Sequence, residues 1–380
     1  MNLNHERVNM LSKKFNIVTD GQWGSCGKGL ITTALADKYR PEVLTTTNMA
    51  NAGHTAVHEN GDKFIAKALP SATILNKWIP EYNPLVIVGP TAAFTIDQML
   101  KEIQECGRPK LIIHSRAGVI TEEHRNAETD LKSGTKHVAS TMQGCGVCLA
   151  DKIMRKPGVK LARDYKELLT FTKTDLDISI PELINDNMLQ GNTVLHEGAQ
   201  GFSLDVNHGS HYPHCTSRST TATQNIADMG VPFNKVGDIY LVIRPYPIRV
   251  GNVVEDGETV GYSGDCYGDH HEIAWKDVAE EANAPPEVMA GELTTVTKRL
   301  RRVFTFSKTQ LEKAVLINGA TKIALNFANY IDWECYGKNS VDELSTKVTD
   351  FIKKIEDIAG IPVTLVGTGP QNNHVITIDC

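Results

Sequence analysis

Residues 18–29 read Val-Thr-Asp-Gly-Gln-Trp-Gly-Ser-Cys-Gly-Lys-Gly, and this stretch decides the fold. The apolar run Phe15-Asn16-Ile17-Val18 precedes it, and the helix-like Leu30-Ile31-Thr32-Thr33-Ala34-Leu35-Ala36 follows. Strand, glycine-rich turn and helix in that order make a phosphate cradle. Amides at a helix N-terminus point at an anion, glycines let the backbone approach it, and Lys28 adds a movable positive charge. The usual nucleotide loop has four residues between its first glycine and Gly-Lys, then Ser or Thr. Here five residues separate Gly21 from Gly27, and Gly29 stands where the hydroxyl belongs. The turn is therefore P-loop-like, while an ordinary P-loop NTPase is disfavoured.

Working outward, short apolar and mostly β-branched runs recur at 15–19, 85–88, 111–114, 193–196, 239–243, 323–326 and 363–366. Such continuous runs suit strands buried on both faces of a parallel sheet. Helical patterns lie between them. The clearest spans Val341 to Ile358, with Val341, Leu344, Val348, Ile352 and Ile355 on one face. Glycines and turn residues between Gly251 and Gly268 predict a hairpin excursion. The fold class is α/β: a single large domain over residues 1–380, with a mostly parallel central β-sheet flanked by helices.

The chain has 380 residues, 41% of them hydrophobic, enough for a sizeable core. Its net charge of −6 offers no broad basic surface for nucleic acid and no reason to expect a membrane partner. Any anion site must be local. The polar first residues do not resemble a signal peptide, so the cytoplasm is expected, that of a host cell if the chain is phage-encoded. Eight cysteines in a chain this long do not suggest a disulfide scaffold. Cys145-Gly146-Val147-Cys148 is formally CxxC but lacks a second pair at zinc-ribbon spacing. His211, His214 and Cys215 are expected as loop or pocket residues, and His270 and His271 as solvated ones.

The spelling Gln22-Trp23-Gly24-x-x-Gly27-Lys28-Gly29, followed by Asn51-Ala52-Gly53-His54-Thr55, resembles the adenylosuccinate synthetase family. So do Glu197-Gly198-Ala199-Gln200-Gly201, Tyr212-Pro213-His214-Cys215-Thr216-Ser217, Arg249-Val250-Gly251, the arginine-rich Thr295-to-Arg302 segment and Thr368-Gly369-Pro370. That family joins aspartate to C6 of a purine nucleotide through a 6-phosphoryl intermediate made from a nucleoside triphosphate. The resemblance implies Mg²⁺ as cofactor, held at Ser25 and Gly53, and a homodimer. It places Ser25, Lys28, His54 and Gln200 in catalysis. For the acceptor nucleotide it implies Ser25, Asn51, Ser140, Thr141, Gln200, Thr216 and Arg299, with Arg155 reaching across the twofold axis. For the triphosphate it implies Gly27, Lys28, Gly29, Gly53, His54, Thr55, Asn326, Asn329, Gly367, Gly369 and Pro370. Thr295, Val296, Thr297, Arg299 and Arg301 match the aspartate loop, where a guanidinium fork pairs with a carboxylate bidentately.

Two departures from the family pattern bear on the substrates. The family's first loop carries an aspartate base after Trp-Gly. Ser25 occupies that place, and Cys26 that of the neighbouring glutamate. C2 of a purine adjoins N1, so a shorter side chain there leaves room for the 2-amino group of guanine. The loop resembles a phage-type branch of the family, which makes N6-succino-2-amino-2'-deoxyadenylate from dGMP and aspartate on the way to 2-aminoadenine DNA. Secondly, GTP-using members read guanine with Thr-Lys-x-Asp, where this chain has Asn326, Phe327 and Asn329. An amide is both donor and acceptor, as the adenine edge requires, which points to ATP or dATP. A conventional reaction of IMP with GTP, or a noncatalytic nucleotide-binding relative, stays open at this point.

Overall fold

The computed structural model describes residues 11–12, 14–130, 137–173, 179–294 and 298–378. Thr295, Val296 and Thr297 of the expected aspartate loop lie outside them.

One ten-stranded sheet carries the chain from Phe15 to Thr377. Its strands are β1 (Phe15–Asp20), β2 (Val43–Thr46), β3 (Leu85–Val88), β4 (Lys110–His114), β5 (Thr172–Lys173), β6 (Val194–Glu197), β7 (Val236–Ile243), β8 (Lys322–Leu325), β9 (Val363–Gly367) and β10 (Val375–Thr377). Across the sheet they run β10-β9-β8-β7-β1-β6-β2-β3-β4-β5. Every pairing is parallel except β9 with β10, which closes one edge. Every residue of β1 is buried, as a central strand covered on both faces requires. The chain first builds outward from β1 through β2, β3 and β4. It then returns β6 into the gap beside β1 and continues on the other side. This reversal opens a crevice at the carboxyl ends of the central strands, where open α/β sheets bind ligands.

The seven strand runs read from sequence are all present. Val43–Thr46 was not among them, because two of its four residues are threonines and look polar. In place the hydroxyls are satisfied within the sheet: Thr46 Oγ1 donates to the Glu197 carbonyl at 2.9 Å, and Thr45 Oγ1 meets His196 Nδ1 at 2.8 Å. The expected hairpin is present as Val253–Glu255 paired antiparallel with Glu258–Gly261. The helix expected from Val341 begins instead at Thr346 and ends at Ala359. Leu344 and Ser345 are extended, with ψ of 131° and 160°, so the chain preceding Thr346 forms only a single 3₁₀ turn. Val341 is consequently exposed, while Val348, Ile352 and Ile355 form the buried stripe.

Candidate active site

β1 delivers the glycine-rich loop to the crevice, and its last residue organises it. The Asp20 carboxylate accepts from the amides of Gln22 at 2.9 Å, Gly24 at 3.2 Å and Cys26 at 3.1 Å. Those amides are thereby spent inside the loop. The anion-binding capacity passes to the N-terminus of the helix Lys28–Tyr39, whose first amides have no intrahelical partner. Lys28 is buried, with Nζ 2.7 Å from the Gln200 carbonyl and 3.4 Å from Asp20. Gly27 has φ of +85°, and a Cβ there would stand 1.9 Å from Asn326 Nδ2. Gly29 is glycine for another reason. A Cβ there would sit 2.7 Å from the backbone of Thr55, so the hydroxyl of an ordinary nucleotide loop has no room.

Around this loop lies a cavity of about 700 Å³, the size expected of a small-molecule site. The ends of β2, β6, β8 and β9 supply its other walls. After β2 come Asn51, Gly53, His54 and Thr55, all lining it. His54 Nδ1 is 2.7 Å from the Glu197 carboxylate at the end of β6, which leaves Nε2 as the ring atom for a ligand. Burial alone would raise the Glu197 pKa. The neighbouring His54 and hydrogen bonds from Ser71 outweigh it and hold the carboxyl below its usual range. A fully buried carboxylate thus fixes the orientation of the imidazole. Gln200 follows on the same loop and donates from Nε2 to Asn51 Oδ1 at 2.9 Å.

Ser25 lines the cavity in the left-handed region, φ 59°, and its carbonyl accepts from the buried Arg244 at 3.2 Å. Arg244 is in turn gripped by Glu292 and lies 4.0 Å over the Phe327 ring. Cys26 is buried, and its thiol donates to Gln22 Oε1 at 3.1 Å. Burial, together with the Asp20 charge, pushes its pKa well up, so the side chain is a neutral thiol. Asn326, expected to read the donor base, instead bolts the strand end to the loop. Its Nδ2 donates to the Cys26 carbonyl at 3.1 Å, and its Oδ1 accepts from the Phe327 amide at 2.9 Å. Gly367 packs against that amide, where a Cβ would meet Oδ1 at 2.1 Å, and does not itself line the cavity. Asn329, Gly369 and Pro370 do.

At the acceptor end, Ser140, Thr141 and Thr216 line the cavity. Thr216 Oγ1 is buried without a partner among the described residues, a hydroxyl left for a ligand. Ser140 Oγ donates to Glu128 at 2.8 Å. The two arginines of the aspartate loop part company. Arg301 lines the cavity, whereas Arg299 lies outside its wall and donates to the carbonyls of Ala139 at 3.0 Å and Ser140 at 3.2 Å. Arg155 is exposed after the helix Cys145–Ile153 and does not line the cavity.

The cysteine and histidine motifs fall as follows. Cys145 and Cys148 are buried, and burial pushes their thiols up to about 12 and about 11. His214 and Cys215 line the cavity. His270, expected in solvent, is buried instead. It packs 4.9 Å from Trp23, and burial lowers its pKa to about 4. The adjacent-histidine pattern carried no sign of that, because its partners Trp23 and Phe304 are remote in sequence. Asp20, Glu128, Arg244 and Glu292 are site residues that sequence reading missed. Asp20 lies in the glycine-rich stretch with no role legible there beyond its place at the strand end, and the other three belong to no motif.

A parallel sheet with a phosphate cradle, a carboxylate-held histidine and an arginine at one cavity suits an α/β enzyme that uses a nucleotide. The adenylosuccinate synthetase family model matches residues 17–177 and 160–333, and the chain belongs to that family. Adenylosuccinate synthetase of Methanocaldococcus jannaschii is 33% identical over 363 residues, covering 95% of this chain and 96% of that protein. The N6-succino-2-amino-2'-deoxyadenylate synthase of Cyanophage S-2L is 35% identical over 370 residues, covering 96% and 92%. A structure of the Cyanophage S-2L succinoaminodeoxyadenylate synthetase, bound to dGMP and dATP as an energy donor, superposes with a TM-score of 0.79. It is 32% identical and covers 96% of this chain and 95% of that one. Fully ligated adenylosuccinate synthetase from Plasmodium falciparum shares the fold, with a TM-score of 0.75 at 19% identity. Among the described residues no helix is long and apolar enough to cross a membrane.

Proposed function

We propose that this enzyme joins L-aspartate to C6 of dGMP, with ATP or dATP as phosphoryl donor, giving N6-succino-2-amino-2'-deoxyadenylate, a nucleoside diphosphate and phosphate. The observation that carries this reading is Ser25, a short neutral side chain on the cavity wall where family members place a carboxylate. The Cyanophage S-2L relatives, named for that product and solved with dGMP, support it.

The residues divide the work along the cavity. Lys28 and the helix N-terminus hold the transferring phosphate and neutralise charge as it passes to O6 of the purine. In the second half-reaction, as the aspartate amine displaces the 6-phosphate, His54 donates from Nε2 to the departing O6 oxygen while Glu197 holds its Nδ1. Gln200 and Asn51 orient the base, and Thr216 and Ser140 take the acceptor phosphate, joined by Arg155 of a partner subunit in a homodimer. Ser25 and Gly53 offer hydroxyl and carbonyl oxygens to Mg²⁺, hard donors that suit an ion held mainly by substrate phosphates and water. Among the described residues no group of three His, Cys, Asp or Glu competes as a metal site. When bound, the ion would supply charge neutralisation at the transferring phosphoryl group. On the cavity wall, Arg301 is the guanidinium for the amino acid's carboxylate.

Aspartate-dependent phosphate release should be fast with dGMP and ATP and slow with IMP and GTP. The reverse preference in a steady-state assay would return the chain to the conventional reaction. Arg301→Leu should raise the KM for aspartate several-fold and leave the KM for dGMP within about twofold, because the fork meets only the amino acid. Equal increases in both would remove Arg301 from the aspartate site.

A further inference from the structure

Phe327, Tyr330, Trp333 and Tyr336 recur at every third residue, in a chain with only 6% aromatic residues. The segment forms two 3₁₀ turns, Ala328–Tyr330 and Trp333–Cys335. A 3₁₀ period places residues three apart on one face, so the four rings fall into a row. Tyr330 and Trp333 stack with centroids 6.4 Å apart and planes 15° apart, and Trp333 and Tyr336 at 4.8 Å and 13°. Phe327 joins at 5.6 Å from Tyr330. All four line the cavity beside Asn329, Gly369 and Pro370.

The row has one closed end and one open end. Beyond Phe327 the fully buried Arg244 guanidinium covers the ring at 4.0 Å. At the other end Tyr336 is 45% exposed and meets His374 edge-on at 6.4 Å. Three near-parallel rings held from behind form a rigid stack that ends at the exposed ring of Tyr336. A flat surface of that kind recognises a base by its π-face, whatever its edge pattern. Asn329 stands next to it, 5% exposed, with no hydrogen-bond partner among the described residues. Asn326, by contrast, has both ends of its amide engaged with the chain's own backbone.

We propose that Tyr336, backed by Trp333 and Tyr330, is the stacking platform for the base of the donor nucleotide, and that Asn329 alone reads that base's edge. This rests on the reading of the cavity's Asn326–Pro370 end as the donor site of an adenine nucleotide. Recognition here is then shared between a face contact, tolerant of base identity, and one carboxamide, which sets the preference for adenine.

Calorimetric titration of the full chain with MgADP, MgGDP and dGMP separates the terms. Tyr336→Ala should weaken MgADP about fivefold or more, the lower end of the effect of losing one base–aromatic stack. Tyr336→Phe should bind MgADP within about twofold of the parent, and dGMP affinity should be unchanged in both variants. Asn329→Ala should narrow the ADP-to-GDP preference, which Tyr336→Ala should leave in place. Unaltered MgADP affinity in Tyr336→Ala, or equal losses for MgADP and dGMP, overturns the platform. A parent chain that binds MgGDP but not MgADP removes the adenine-donor reading instead, and the platform is then judged on the MgGDP affinity of Tyr336→Ala.

Discussion

His54→Asn should lower kcat roughly 10²-fold or more while moving the KM values for both nucleotides only a few-fold, the scale for losing a positioned general acid. Asparagine keeps a polar group and much of the volume at this buried position, so binding is largely preserved. What disappears is the one ring nitrogen that Glu197 leaves to the ligand. Glu197→Gln provides the matching control. It keeps the shape but replaces the carboxylate that holds Nδ1 with a neutral amide, so it should lose a smaller part of the rate. Turnover of His54→Asn equal to that of the parent, measured by phosphate release with a melting curve to verify folding, would take His54 out of the chemistry.

The two halves of that pair were unequally visible in the sequence. The cradle and strands were legible because a buried parallel strand has to be a continuous apolar run, and a strand–glycine–lysine order has few other uses. Glu197 belongs to the motif Glu197-Gly198-Ala199-Gln200-Gly201, but nothing in its sequence neighbourhood tells that it meets His54. That contact exists only because β6 is inserted between β1 and β2. The same holds for Arg299 and Arg301, two guanidiniums in one segment. Sequence treated them alike, whereas the fold turns one onto the carbonyls of Ala139 and Ser140 and leaves the other on the cavity wall. Asn326 was read as a base reader because its amide chemistry fits adenine. In place that amide is consumed by the Cys26 carbonyl and the Phe327 amide, an outcome set by the close approach of β8 to the loop at Gly27.

Ser25→Asp should lower the ratio of kcat/KM for dGMP over IMP tenfold or more. Ser25 is held in place by its backbone: φ is 59°, and its carbonyl is tied to Arg244, which Glu292 and the Phe327 ring fix in turn. Aspartate is among the residues that tolerate the left-handed region, so the substitution changes the side chain without breaking the loop. The new carboxylate would then stand beside N1 and C2 of the purine. Against guanine it crowds the 2-amino group and must be desolvated there. Against hypoxanthine it accepts the N1–H bond, and some IMP turnover should return. Tenfold corresponds to about 1.4 kcal/mol, the size of one modest steric or hydrogen-bond difference in a pocket. Cys26 sharpens the expectation, because its neutral buried thiol adds no second negative charge and the inserted carboxylate acts alone. A ratio that stays level or rises in Ser25→Asp, with both substrates measured at saturating aspartate and ATP, would leave the guanine acceptor without its physical basis and make IMP the better substrate assignment.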